Sequence, residues 1–253
     1  MDMDFLLTTG QGVFETMRYE DGRLWFWPQH LQRLHKTLKY FSADASAVDF
    51  DEIVYGAIKN SARSQPLRVK LLALFPFNRQ PKKIASENLR LYIRPTDPLP
   101  DRPLPLRLQT VAWPFGSVYP LGAFKTIHFG AYFYAQYAAR GRGFDDVIFQ
   151  KDGRLLETSV ANIFAVKHGT IFTPPIKEGV LPGIIRALLV NNFPVVEFPI
   201  FLNRLAEYEY FFITNSVNEL QPVESINDIP LRLNVSHFKK ILADWRELKR
   251  TNF

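Results

Sequence analysis

Three short stretches place ionisable or anion-binding groups where local structure would aim them. In Gly153-Arg-Leu-Leu-Glu157-Thr-Ser-Val-Ala-Asn162-Ile-Phe164, the turn signal Asp152-Gly153 leads into a strand that ends in an acid beside a polar cluster. An apolar strand follows. Glu157 reads either as a surface carboxylate or as a buried one paired with a cation. In Gly179-Val-Leu-Pro182-Gly183-Ile184-Ile185-Arg186, Pro182 fits the first position of a helix, where its missing N–H would go unpaired anyway. The N–H groups of Gly183, Ile184 and Ile185 would then face outward with the positive end of the helix dipole, a seat for a phosphate. The plainer reading is an ordinary Pro-Gly helix start. In His30-Leu-Gln-Arg33-Leu34, Arg33 can fork two N–H bonds to a phosphate, or lie on a solvated helix face.

These groups need a scaffold, and the pattern predicts a mixed one. Val13–Tyr19 reads as a strand, Asp21-Gly22 as a turn, and Leu24–Trp27 as the strand that pairs back. Pro28 opens a helix over about Gln29–Phe41, with Leu31, Leu34, Leu38 and Phe41 at helical spacing. A second helix is expected over Phe50–Ser64, and strands over Leu67–Phe75 and Asn88–Arg94. Pro95, Pro98, Pro100, Pro103, Pro105, Pro114 and Pro120 mark extended connecting chain, with a strand at Leu106–Ala112 inside it. The expected organisation is a small domain over 1–112, a linker at about 113–118, and a larger domain over 119–253. The second half alternates helices at Ala131–Arg140, Leu181–Asn191 and Val235–Lys249 with strands at Val147–Gln150, Leu155–Glu157, Asn162–Lys167, Thr170–Phe172 and Tyr210–Thr214. The order is not a regular βαβ repeat, so the predicted class is α+β. The aromatic run Phe129–Tyr134 reads as a core helix or as an interface, the core reading being preferred.

Composition narrows the chemistry. The 253 residues are 47% hydrophobic and 22% charged, with 22 Phe, an ordinary balance for a globular chain. No apolar run approaches the length of a membrane span, which takes roughly 20 residues. There is no cysteine, which excludes disulfides and thiolate metal sites. The five histidines lack zinc-site spacing, so no metal is expected. The absence of cysteine and of a leader-like segment points to the cytoplasm. Net charge is +6, which suits a nucleic acid or an anionic small molecule. Lys and Arg form no long block, so no nucleic-acid partner is expected.

Taken together and in order, the motifs resemble the class IV aminotransferases, which include branched-chain and D-amino-acid aminotransferases and 4-amino-4-deoxychorismate lyase. The stretches that carry the resemblance are Gly10-Gln-Gly-Val-Phe-Glu-Thr-Met-Arg18, Asp21-Gly22, His30-Leu-Gln-Arg-Leu34, Phe124-Lys125-Thr126, Glu157 with Asn162, Thr173-Pro-Pro175, Leu181-Pro-Gly-Ile-Ile-Arg186, Thr214-Asn-Ser216 and Gln221-Pro-Val223. The resemblance implies the two-domain D-amino-acid-aminotransferase-like fold (fold type IV), pyridoxal 5′-phosphate as cofactor, an amino-acid-like substrate and a homodimer. It implies Lys125 as the Schiff-base lysine and Glu157 as the acid facing the pyridine nitrogen. Arg33, the backbone of Ile184 and Ile185, and the Ser216 hydroxyl would hold the phosphate, and Asn162 would support the cofactor. Arg18, Arg79 and His128 are candidates for the substrate side.

Departures from the family pattern bear on the reaction. The chain begins close to the Gly10 motif, which puts the usual N-terminal strand pair in doubt. Ile185 stands where transaminases commonly carry Thr, and His128-Phe129 where Asn-Tyr is frequent. The short chain, the Lys125-to-His128 spacing and Ile185 lean towards the lyase, which releases pyruvate and 4-aminobenzoate. A branched-chain or D-amino-acid transaminase is the alternative. A non-catalytic basic binding protein is a remote third reading, opposed by an intact Lys125, Glu157 and Arg33.

Overall fold

The computed structural model describes residues 3–61, 65–76, 82–115 and 120–252. Contacts divide the chain into two units, Met1–Pro98 with Phe124–Phe129, and Leu99–Ala123 with Gly130–Phe253.

The first unit contains α1 (Met3–Thr8), β1 (Gly12–Glu20), β2 (Arg23–Leu24), α2 (Trp27–Tyr40), β3 (Ala43–Asp44), α3 (Phe50–Ser61), β4 (Leu67–Leu74), β5 (Lys82–Lys83) and β6 (Leu89–Pro95). Its antiparallel sheet runs β2-β1-β4-β6, and β3 pairs with β5. Alternation along β1 and β4 turns Val13, Met17, Val69, Leu71 and Ala73 into one core with Leu34 and Leu38 of α2 and Val54 and Ile58 of α3. Asp21 (φ 53°) and Gly22 (φ 76°) are both left-handed, the conformation a two-residue hairpin turn demands. The returning strand is shorter than expected. Phe26 also turns left-handed (φ 59°) and starts α2 at Trp27, so Trp25–Trp27 are not strand. The expected Phe50–Ser64 helix is described to Ser61; its last residues lie outside the described ones.

Phe124–Phe129 returns to this unit as a short extra rung on β1. The Phe14 N–H donates to the Lys125 carbonyl at 2.8 Å, and the Ile127 N–H to the Gly12 carbonyl at 3.0 Å. Gly12 is required by this crossing: a Cβ there would lie 2.8 Å from the Ala73 carbonyl oxygen and 3.2 Å from Ile127 Cδ1.

The second unit contains β7 (Leu106–Ala112), α4 (Gly130–Arg140), β8 (Asp146–Lys151), β9 (Arg154–Thr158), β10 (Asn162–Lys167), β11 (Thr170–Thr173), α5 (Ile184–Asn192), β12 (Val195–Glu197), β13 (Ile200–Phe201), β14 (Tyr210–Asn215), β15 (Glu219–Ile226), β16 (Ile229–Pro230) and α6 (Val235–Asn252). Strands β10-β14-β15-β7-β8-β9 follow one another, and β9 pairs back to β10 at Glu157↔Asn162. The sheet thus closes on itself, with β7 parallel to both its neighbours. One face buries Leu108, Ile148, Leu155, Ile163, Phe211 and Val223. On α6, Phe238, Ile241, Leu242 and Trp245 are buried. Because β7 is an interior strand of this sheet, the observed division falls at Pro98/Leu99, ahead of the expected linker at 113–118.

Two expectations need correction. The helix expected from Leu181 begins at Ile184, with Gly183 as N-cap and Pro182 outside it. The Phe129–Tyr134 run is not a core helix: Tyr132 is buried, but Phe133 and Tyr134, with Tyr137 further along α4, are 65%, 72% and 70% exposed.

Candidate active site

In the first unit the chemistry gathers around β1. Phe14 and Glu15, adjacent on the strand, face opposite sides. The Lys125 ammonium lies 4.6 Å from the Phe14 ring centroid, and the Lys70 ammonium 4.3 Å from the same centroid. Burial and the neighbouring Arg68 charge push the Lys70 pKa down.

On the other side, Glu15 is a carboxylate at a core position, 1% exposed. It is tolerated there because two residues of α2 bring three nitrogens to it. Arg33 donates from Nε to Oε1 at 2.8 Å and from Nη2 to Oε2 at 2.6 Å, and His30 Nδ1 lies 2.6 Å from Oε2. Burial alone would raise the Glu15 pKa, but the Arg33 guanidinium and His30 outweigh it and hold it at about 2. Burial pushes the His30 pKa down, against the pull of Glu15 and with the charges of Arg33 and Lys125. A neutral His30 beside an ionised carboxylate must donate from Nδ1, which leaves Nε2 as an acceptor. That Nε2 is buried with no partner among the described residues.

Sequence reasoning missed this cluster. Its signal was present in the three-residue spacing of His30 and Arg33, which puts both on one helix face, and in an acid at an inward position of a strand. The Nε–Nη2 edge that Arg33 was expected to offer as a fork is turned onto Glu15. Arg18 is buried and forks onto Glu20 at 2.8 and 2.7 Å, with a further bond of 2.8 Å to the Asp97 carbonyl. This engagement gives Arg18 a structural role. His128 is exposed and packs beside Gly10, where a Cβ would meet its Cδ2 at 3.4 Å. Arg79 lies outside the described residues.

In the second unit the site forms where the sheet closes. Glu157 is buried at 6% exposure, which overturns the surface reading of this acid. Its Oε2 accepts the Leu181 N–H at 2.9 Å, and Asn162 Nδ2 donates to the Leu181 carbonyl at 2.9 Å. The paired residues of β9 and β10 thus hold both backbone groups of Leu181. The Gly183 N–H is taken by the Leu181 carbonyl at 2.9 Å, so it is not part of an anion seat. The Ile184 and Ile185 N–H groups open α5 and have no acceptor within the helix. A Cβ at Gly183 would run into Asn162 Oδ1, so glycine lets the Asn162 side chain keep its place. The Ile185 side chain is buried, so this residue offers an anion its N–H only.

Thr214 sits opposite Asn162 on β14. Its hydroxyl is buried with no partner among the described residues. Ser216 follows in the turn after β14, where Asn215 Oδ1 accepts the Val217 and Asn218 N–H groups, each at 2.9 Å. The groups of this unit fit a ligand with a cationic ring nitrogen and a phosphate: a buried carboxylate, two helix-opening N–H groups and a buried hydroxyl with no partner among the described residues.

Comparison with known proteins agrees with this geometry. Residues 12–226 match the amino-transferase class IV family. A putative branched-chain-amino-acid aminotransferase of Methanocaldococcus jannaschii is 26% identical over 236 residues, covering 88% of this chain and 81% of that protein. The aminodeoxychorismate lyase of Bacillus subtilis is 26% identical over 239 residues, covering 87% and 79%. A crystal structure of a putative 4-amino-4-deoxychorismate lyase from Legionella pneumophila superposes with a TM-score of 0.79 at 23% identity, covering 95% of this chain and 92% of that one. The chain belongs to the class IV aminotransferase family and has its fold.

Proposed function

We propose that this class IV enzyme works with pyridoxal 5′-phosphate held on Lys125 and cleaves 4-amino-4-deoxychorismate to pyruvate and 4-aminobenzoate. When bound, the cofactor supplies an electron sink for negative charge developing at the substrate Cα. Lys125 Nζ anchors it and then takes the proton from that Cα. Glu157 accepts a hydrogen bond from the ring N–H and favours its charged form. The Ile184 and Ile185 N–H groups and the Ser216 hydroxyl bind the phosphate, Arg33 adds its positive charge, and Asn162 holds Leu181 ahead of α5. His128 is retained as a substrate-side candidate.

The cofactor reading rests on one observation above the others. Glu157 and Asn162 grip the same residue, Leu181, so the acid and the start of α5 are fixed together. The preference for the lyase rests on Ile185, which brings no hydroxyl to the helix start, and on the Lys125-to-His128 spacing. Transamination is the second reading, favoured by the name of the M. jannaschii relative. We read the enzyme further as a cytoplasmic homodimer acting on a small amino-acid-like molecule, with no nucleic-acid or membrane partner. Among the described residues no helix is long and apolar enough to cross a membrane, and exposed aromatics on α4 offer a surface for a second copy.

The first test is the absorption spectrum of the purified protein beside Lys125→Ala. A visible cofactor band that borohydride traps in the wild type and that is absent from the variant is expected. No band after adding pyridoxal phosphate would sink the assignment. Pyruvate and 4-aminobenzoate released from aminodeoxychorismate support the lyase; keto-acid formation from amino acids without that release supports the transaminase.

A further inference from the structure

Glu219 has a left-handed backbone, φ 56°. A residue with a Cβ adopts that conformation at a cost, and glycine or asparagine usually fills it. It closes the hairpin that carries Ser216: Asn215 ends β14, Glu219 begins β15, and the two pair across the turn. Here the left-handed residue is a glutamate, and it is buried at 4% exposure. Both carboxylate oxygens are engaged by one helix. Trp245 Nε1 donates to Oε2 at 2.7 Å, and Lys249 Nζ to Oε1 at 2.6 Å. Trp245 and Lys249 lie four residues apart, hence on one face of α6, and both are buried. A strained residue persists where its surroundings over-determine it, and its presence is a reason to look for a role. Glycine would form this turn more easily, so the glutamate is explained by what its carboxylate holds.

We propose that Glu219 is a positioning residue through which α6 fixes the Ser216 hairpin, and with it the hydroxyl that meets the cofactor phosphate. The proposal rests on the reading of Ser216 as a phosphate donor. Glu219, Trp245 and Lys249 then act on the phosphate and not on the rest of the cofactor. A residue needed only for the stability of the fold would not make that distinction.

The test uses the full chain freed of cofactor, titrated with pyridoxal 5′-phosphate and with pyridoxal, which has the same ring and aldehyde but no phosphate. Binding is followed by the visible absorbance that both aldehydes give with a lysine. Glu219→Gly keeps the backbone preference of the turn and removes the carboxylate. Lys249→Met leaves the turn sequence intact and loosens it from the helix side, so one variant remains informative if the other does not fold. Each is expected to weaken pyridoxal phosphate roughly tenfold, the scale of one hydrogen bond to a charged group, and to leave pyridoxal unchanged. Ser216→Ala should show the same selective loss, and Ser216→Ala with Glu219→Gly no further loss, because both act on one contact. Equal weakening of both ligands, no weakening of either, or additive losses in the double variant would overturn the role of Glu219. If Ser216→Ala itself fails to separate the two ligands, the assignment of Ser216 is what has failed.

Discussion

At the scale of single residues, the buried Glu15 carboxylate makes a definite demand on pH. Its pKa is lowered from 4.5 to about 2 in the folded chain, with Arg33 and His30 outweighing the penalty of burial. The unfolded chain therefore binds the proton more readily between those values, and stability must rise with pH across that window. The contribution is complete above about 4.5 and is lost as pH falls towards about 2; its size is on the order of 3 kcal/mol. Denaturant unfolding of wild type and Glu15→Gln, followed from pH 6 to the lowest pH at which both fold, tests this. The wild-type advantage should be constant at the upper end and shrink below about pH 4.5. A difference that stays flat through that window would mean that Glu15 titrates normally. The same cluster shows what a sequence conceals at this scale. The motif around His30 and Arg33 was legible, and the family resemblance, not the residue alone, gave Arg33 a phosphate role. That Glu15 closes one edge of the fork depends on how β1 and α2 pack, which the helix spacing and the inward acid do not fix by themselves.

Most elements were legible because their apolar periods are clean. Leu106–Ala112 and Asn162–Lys167 were placed with their observed bounds, and the β1 hairpin turn followed from Asp21-Gly22. The start of α5 was not, because Pro182-Gly183 satisfies the local rule for a helix opening while a tertiary tether overrides it. Glu157 and Asn162 hold both backbone groups of Leu181, so it stays outside the helix, which begins after Gly183. This element makes its own prediction. In Gly183→Ala the new methyl would run into Asn162 Oδ1, so the Asn162 side chain must move. The expected cost is about 1–3 kcal/mol of stability, the range for overpacking a close-fitted site, with weaker binding of pyridoxal phosphate. Asn162→Ala removes the clashing group, so Gly183→Ala should cost much less in that background. Thermal unfolding of the four chains measures the coupling. Additive losses would show that the two side chains do not compete for one space.

At the scale of the whole molecule, the expected boundary rested on proline density, which marks extended chain but not which sheet that chain joins. The division instead follows hydrogen bonding: β7 is recruited into the second unit, and Phe124–Phe129 returns to the first. That return has no periodicity of its own, yet it sets Lys125 against β1. The same limit applies to α4. An aromatic run reads as core from sequence because large rings are usually buried; here Phe133, Tyr134 and Tyr137 are left 65–72% exposed on one helix. Clustered exposed rings on a globular chain mark an association surface more often than chance, and in the proposed homodimer a second copy of the chain would cover this patch by two-fold symmetry, each helix meeting the same helix. Sedimentation equilibrium of the wild type should give a dimer. Tyr134→Lys with Tyr137→Lys places four ammonium groups at a two-fold interface, two from each copy, and should shift the chain to monomer while leaving the circular dichroism spectrum unchanged. A dimer that survives both substitutions would place the interface elsewhere, and the aromatic face of α4 would then have to be explained by some other partner.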